Sequence, residues 1–367
     1  MNSQLKNNSN NVIPGVWYAQ SGKDNDVVLS TRVRLARNLA NFTFPNRMQN
    51  EEKDQVQAIV FDAFNHFEDA DSFQAYNLRL LDRLGIKILE ERSILEEKDC
   101  KDGGLVMRND GKVCCTVNMI DHVRISSIFA GLNIDEPIAL TNKIDDDLQK
   151  SIQFAANYDF GYLTSQVKDA GSGLKISIQL SLPCLSMLGK LKMLINDFNT
   201  KGIILKSSYG AGEGKAALGS YYQISTSGSL SGNELDQVTN IVSCCIHSIE
   251  AERLARLDCM NNMPTYIKNT LYRCLAIAKN SLFIGLRESI ELISGIKLGL
   301  DCGIIKGISY SDLTSLLYRV REGNIDFIMN KGNFTFEKDI INSATKKNER
   351  LRALLLQEAL EEVEFVL

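Results

Sequence analysis

The sequence predicts an α+β chain: an open, mostly antiparallel sheet flanked by helices, then a helical C-terminal part. Three observations predict it. Between residues 86 and 130, short β-branched runs alternate with turns, and strand-like segments continue through the middle of the chain. Before them, "EEKDQVQAIVFDAFNHFED" carries the periodicity of an amphipathic helix. From about residue 230 the pattern turns helical and stays so, punctuated by Gly295, Gly303 and Gly307.

The elements follow in order. Residues 1–14 are polar and Asn-rich, lack the apolar core of a signal peptide, and are expected to be a disordered tail. Trp17 is expected to cap a cluster under the N-terminal helices. "DVVLSTRVRLARN" (26–38) reads as a strand. In the helix that follows, Val56, Ile59, Val60 and Phe64 share one face. "KDGGLVMRNDGKVCCTVNM" reads as a hairpin turning at Asn109-Asp110-Gly111. "LKISIQLSL" (174–182) alternates with period two, and "KGIILKSSYG" and "GSYYQISTS" are further strands. Ser231 and Glu234 have capping-box spacing. The helix they would open carries Leu235, Val238, Ile241, Val242, Cys245 and Ile249 as its apolar stripe. Pro264 opens another helix. The last stretch, "KKNERLRALLLQEALEEVEFVL", is amphipathic, with a leucine face expected to pack on this chain or on a partner, a second copy included. The expected divisions are the tail, a core over 15–257, and a helical domain over 258–367.

The 367 residues suffice for two domains or one catalytic unit with an appendage. A net charge of -4 and a pI near 5.6 argue against nucleic acid as a partner. No run of about 18 apolar residues marks a membrane span. Nine Cys without a C-x-x-C, including adjacent pairs at Cys114-Cys115 and Cys244-Cys245, suggest reduced thiols, most of them packing residues, in a cytoplasmic protein. Three His (His66, His122 and His247) lack metal-ligand spacing, so no metal site is expected.

Two stretches invite chemistry. "SSYGAGEGKAALGS" (207–220) holds Gly210, Gly212, Gly214 and Lys215, yet it is no P-loop: Tyr209 stands at the first glycine position and Ala216 at the magnesium-binding hydroxyl. A mobile hairpin loop is the simpler reading. In the Arg strand, Ser30, Arg32 and Arg34 fall on one face, with the guanidiniums about 7 Å apart. Two readings stand: a clamp for an anion such as a polyphosphate, or arginines solvated or paired with carboxylates.

"LSTRVRLARNLANFTFP" resembles the guanidino kinases, the family of the phosphagen kinases, and most of all their bacterial protein arginine kinases. "NMIDHVRI", "GYLTS", "GSGLKISIQLSLPCL", "YGAGEGKAALGSYYQIS" and "LGLDCGIIKGI" extend the resemblance, in order, over roughly residues 12–345. It implies the guanidino-kinase fold and transfer of the ATP γ-phosphoryl to a guanidinium, with Mg2+ carried by the nucleotide. It also implies protein arginines as substrates and protein quality-control partners. The Gly-rich stretch becomes the mobile substrate loop beside the ATP site. Ser30, Arg32, Arg34 and Arg124 match nucleotide-binding positions, while Lys175 and Lys206 stand where arginines are expected.

The departures concern the reactive groups. The family pattern Asn-Glu-Glu-Asp-His-x-Arg reads Asn118-Met119-Ile120-Asp121-His122-Val123-Arg124, and Tyr-Gly-Glu reads Tyr209-Gly210-Ala211. Both expected catalytic carboxylates are thus replaced, by Ile120 and Ala211. A Cys-Pro-Thr-Asn loop is Gln166-Val167-Lys168-Asp169, and an Arg-Asp-x-x-Arg-Ala pattern is Lys338-Asp339-Ile340-Ile341-Asn342-Ser343. Asp121, taken as a strand residue, would point to the opposite face from its neighbour and replace nothing. His122 reads as a hydrogen-bonded structural group. The implied function is a nucleotide-binding, catalytically impaired homologue (a pseudokinase) with a regulatory role. Two alternatives stay open: an active kinase with a relocated base such as Glu213, and an interaction protein without ATP binding.

Overall fold

In a computed structural model, residues 16–95, 102–210, 217–228 and 232–366 are described. The expected tail, Ala211, Glu213 and Ser231 lie outside them. An eight-stranded sheet runs through the first two thirds of the chain. Its strands are β1 (Val28–Arg37), β2 (Phe73–Asn77), β3 (Gly104–Arg108), β4 (Val113–Val117), β5 (Val123–Ala130), β8 (Leu174–Ser181), β9 (Ile203–Ser207) and β10 (Tyr221–Thr226). The two-residue strands β6 (Ala156–Asn157) and β7 (Gly161–Tyr162) form a separate hairpin. The order is β2-β3-β4-β5-β1-β8-β10-β9, with every pairing antiparallel. The turn at Gly111 has φ +67, a left-handed conformation that glycine adopts without steric cost.

Period-two alternation gives the sheet two unlike faces. On one, Val33, Leu35, Ile176, Ile178 and Ile224 are buried in an apolar core that includes Leu194, Phe198, Ile241, Cys244 and Cys245. These core residues come from helices α5 (Leu191–Thr200) and α6 (Glu234–Asn262). Toward β4 and β5 the same face meets α1 (Asn50–Asn65) and α3 (Asp135–Gln149), through Val56, Val60, Ile144 and Leu148. The other face is polar along β1 and β8. Between α1 and α3 in sequence lies α2 (Arg83–Glu91), and α4 (Pro183–Met187) follows β8.

The C-terminal helices α7 (Pro264–Asn280), α8 (Leu286–Asp301), α9 (Tyr310–Arg319), α10 (Glu322–Lys331) and α11 (Ala344–Ala359) enclose a second core with Leu275, Ile293, Leu316, Leu351 and Leu356. The short strands β11 (Ile305–Lys306) and β12 (Glu364–Phe365) pair beside it. The leucine face of the last helix is therefore covered by this chain itself.

Three local expectations shift. Ile59 is 37% exposed, because the buried stripe of α1 runs through Val56, Val60 and Ala63. The capping box of α6 is Asn233 with Asp236, and Leu235 projects into solvent. Trp17 packs edge-on against Tyr318 of α9, with ring centroids 5.6 Å apart, rather than under the N-terminal helices.

Candidate functional site

β1 lies at the centre of the sheet between β5 and β8, so its polar face is bordered on both sides. Register places Arg34 between Ser126 and Lys175, and Arg32 between Ile128 and Ser177. Ser30 pairs with Gln179, which pairs with Gln223, which pairs with Lys206 on the edge strand. Arg124, the second residue of β5, pairs with Ala36. The six expected nucleotide-binding residues thus come onto one pleated face, with Lys206 farthest out and exposed.

Two adjoining hollows open on this face. The first, with about 410 Å³ of empty space, is lined by Arg32, Arg34, Arg124, Cys114, Met119 and Ile120, and by the segment Ser93–Leu95. The second, about 530 Å³, is lined by Arg34, Arg124, Ile120, Lys168, Asp169 and Lys175. Arg34, Arg124 and Ile120 are common to both. Among the described residues lining them, Asp169 is the one carboxylate. The charge set therefore suits an anion.

Lys175 is pushed down to about 8 by burial and then by repulsion from Arg34. Arg32 donates from Nε to Ser126 Oγ (2.6 Å) and from Nη1 to the Ser93 carbonyl (2.7 Å). Gln179 donates to the Tyr209 hydroxyl (3.0 Å), and the Arg321 guanidinium lies 4.4 Å from the centre of the Tyr209 ring. A C-terminal residue thus reaches the approach to the Gly-rich loop.

Residues 118–122 form the β4–β5 hairpin loop, not a strand. The expectation for Asp121 is corrected: the loop conformation, not a pleat, turns its side chain inward. The Asp121 carboxylate is buried and accepts from Asn38 Nδ2 (2.9 Å), the Ser165 backbone N–H (2.8 Å) and Arg124 Nη2 (3.2 Å). Asn38 Oδ1 accepts in turn from the His122 backbone N–H (2.9 Å). His122 Nδ1 accepts from the Leu39 N–H (3.0 Å), which leaves Nε2 to donate to the Thr43 carbonyl (2.9 Å). Burial pushes the His122 pKa down, so the neutral ring is favoured and acts as a structural pin. Asn38, absent from the sequence-based site, is the hub of this lock. Its one signal is its place directly after the Arg strand. Met119 and Ile120, between the locked residues Asn118 and Asp121, are left to line the hollows.

The profile of the ATP:guanido phosphotransferase C-terminal catalytic domain matches residues 55–255, which include the hairpin loop, Arg124, Lys175 and Lys206. The chain belongs to the ATP:guanido phosphotransferase family. It is 30% identical to a protein named protein-arginine kinase from Clostridium acetobutylicum, over 94% of this chain and 99% of that one. It is 30% identical to one of the same name from Bacillus subtilis, over 94% and 93%. Similar folds are a lombricine kinase (TM-score 0.55, 19% identity, 66% of this chain and 70% of that one) and the duplicated taurocyamine kinase of Schistosoma mansoni (0.57, 20%, 73% and 41%). The guanidino-kinase fold and the likeness to protein arginine kinases, both expected from the motifs, hold. In this phosphotransferase homologue no described helix is long and apolar enough to cross a membrane.

Proposed function

We propose that this family member binds ATP through the phosphates on the cationic sheet face, yet transfers the γ-phosphoryl poorly or not at all, and serves as a cytoplasmic regulatory protein. One observation carries this reading: Ile120 stands at the junction of both hollows, beside Arg34 and Arg124, where an acceptor guanidinium would have to lie. A guanidinium is protonated at neutral pH. It needs a carboxylate to orient it and to take a proton as the N–P bond forms. An isoleucine does neither, and general-base catalysis is typically worth ~10²–10⁴-fold.

Arg32, Arg34, Arg124 and Lys175 would hold the phosphates, with Ser30 and Lys206 flanking them. Two lysines in place of forked guanidiniums keep the charge and give up bidentate geometry. Mg2+ would be carried by the phosphates of the nucleotide.

The test pairs ATP calorimetry with transfer of labelled γ-phosphate to an arginine-rich protein, with an active family member as control. Saturable ATP binding, markedly weakened in Arg34→Ala, with no acid-labile product is the expected result. Acid-labile product that vanishes in Glu213→Gln would establish the relocated base instead. An absence of ATP binding by the folded protein would leave an interaction protein.

A further inference from the structure

Arg32, a phosphate ligand in the reading above, already holds a partner supplied by the chain itself. That partner is built at the end of α2. The Ser93 N–H bonds to the Glu90 carbonyl (2.8 Å) and the Ile94 N–H to the Leu89 carbonyl (3.0 Å), a Schellman cap. The left-handed position of such a cap usually takes glycine. Here it is Ser93, with φ +56. The cap turns the Ser93 carbonyl onto Arg32 Nη1 (2.7 Å). Leu95, 4% exposed, anchors the strap in an apolar cluster with Leu78, Leu105 and Cys114, against which Met119 packs. Residues 93–95 thus line the first hollow and take up one donor of the cationic face.

The opposite side of α2 is gripped by the C-terminal helices. Both Glu91 carboxylate oxygens lie 2.9 Å from the Gly323 N–H, in the first turn of α10. A β-carbon at residue 323 would come within 2.8 Å of Glu91 Oε2 and 3.1 Å of Ile88 Cγ1, so an alanine there must push the Glu91 carboxylate aside. Lys87 Nζ reaches Glu322 (3.2 Å) and Asp326 (3.1 Å) of the same helix. The C-terminal helices therefore set the position of α2, and α2 sets the position of the strap.

We propose that the Ser93–Leu95 strap is an internal occupant of the phosphate clamp, and that the C-terminal helices control access to Arg32 through the Glu91–Gly323 contact. A phosphate oxygen is a stronger acceptor for a guanidinium than a neutral carbonyl, because its hydrogen bond is charge-assisted. Nucleotide can thus displace the strap. The displacement breaks the cap and exposes Leu95, and this lowers the apparent affinity in proportion to the closed fraction. Anything that loosens α10 from α2 raises that affinity.

The experiment uses the full chain, with ATP calorimetry and hydrogen exchange on three proteins: wild type, Lys87→Ala/Glu91→Ala, and Gly323→Ala, which disturbs the clamp from the other side. Both variants are expected to bind ATP roughly tenfold more tightly and to lose protection at residues 89–95. Saturating ATP is expected to lower protection there in the wild type. Equal ATP affinity in all three proteins, or unchanged strap protection in wild type saturated with ATP, would overturn the proposal while leaving nucleotide binding intact. Absence of ATP binding even in the clamp-released variants would overturn both this proposal and the nucleotide reading beneath it.

Discussion

The Arg strand and the hairpin loop beside it face the same hollows, but they are fixed in different ways. Along β1 the polar side chains are set by a pleat in the middle of the sheet. Removing one leaves the strand paired on both sides. In the loop 118–122 the conformation rests on side chains. Asp121 and His122 point inward and are held by Asn38, while Met119 and Ile120 line the hollow. Here one pair of residues holds the loop and the neighbouring pair lines the hollow. The side chains at 119 and 120 can therefore change without loss of the frame.

On the proposed reading, the largest effect should come from placing carboxylates at residues 120 and 211. In Ile120→Glu/Ala211→Glu, acid-labile phosphotransfer to arginine should rise by ~10²-fold or more, the usual range for a positioned general base. Ile120→Glu alone should gain much less, since the resemblance implies two carboxylates acting together. A folded, ATP-binding double variant with unchanged background transfer would count against a simple loss of the two carboxylates.

Next comes the frame. Asp121→Ala removes a buried acceptor from Asn38, Ser165 and Arg124 together, and should lower unfolding free energy by about 3 kcal/mol. The measurement is urea unfolding with the slope compared to wild type. Ile120→Ala, on the wall of the open hollow, should cost under half as much. Equal losses at the two positions would end the division between frame and chemistry.

On the strand, Arg34→Ala should weaken ATP binding by roughly 10–100-fold, the loss of charge-assisted hydrogen bonds at about 1.5–3 kcal/mol, with stability changed by less than about 1 kcal/mol. Calorimetry and thermal melts check the two halves. A large stability loss without an affinity change would make Arg34 a structural residue.

What the sequence shows of this molecule follows the same division. The strands, the turn at Gly111 and the shared face of Ser30, Arg32 and Arg34 are legible because pleating and left-handed turns are local rules. The hairpin loop is not: a period-two reading continues β5 back through Asp121, whereas the hydrogen bonds that turn it inward come from residues 38 and 165. Likewise Trp17 finds Tyr318 some 300 positions away, and the strap on Arg32 is invisible because a serine occupies a cap position that normally announces itself by glycine. The Asn233 box was missed for a smaller reason: Asp236 closes it in place of the usual Glu or Gln.

The smallest predicted effect separates the two substituted cations from the retained ones. Lys175 sits beside Arg34, and burial together with that repulsion pushes its pKa down to about 8. In the free protein the ammonium is therefore partly lost just above neutral pH, whereas an arginine there would keep its charge. A bound phosphate favours the charged form and binds it better. ATP affinity should accordingly fall several-fold between about pH 7 and pH 9. The folding linkage runs the other way. A lysine whose pKa is lower folded than unfolded binds more protons in the unfolded chain between about 8 and its ordinary value. Its contribution to stability therefore rises with pH across that window. Lys175→Arg should flatten the affinity profile and tighten binding modestly at pH 9, because a fork replaces a point charge. If Lys175→Arg leaves the slope between pH 7 and pH 9 unchanged, the titrating group lies elsewhere on the face, and the lysine is as good a phosphate ligand as the arginine it replaces.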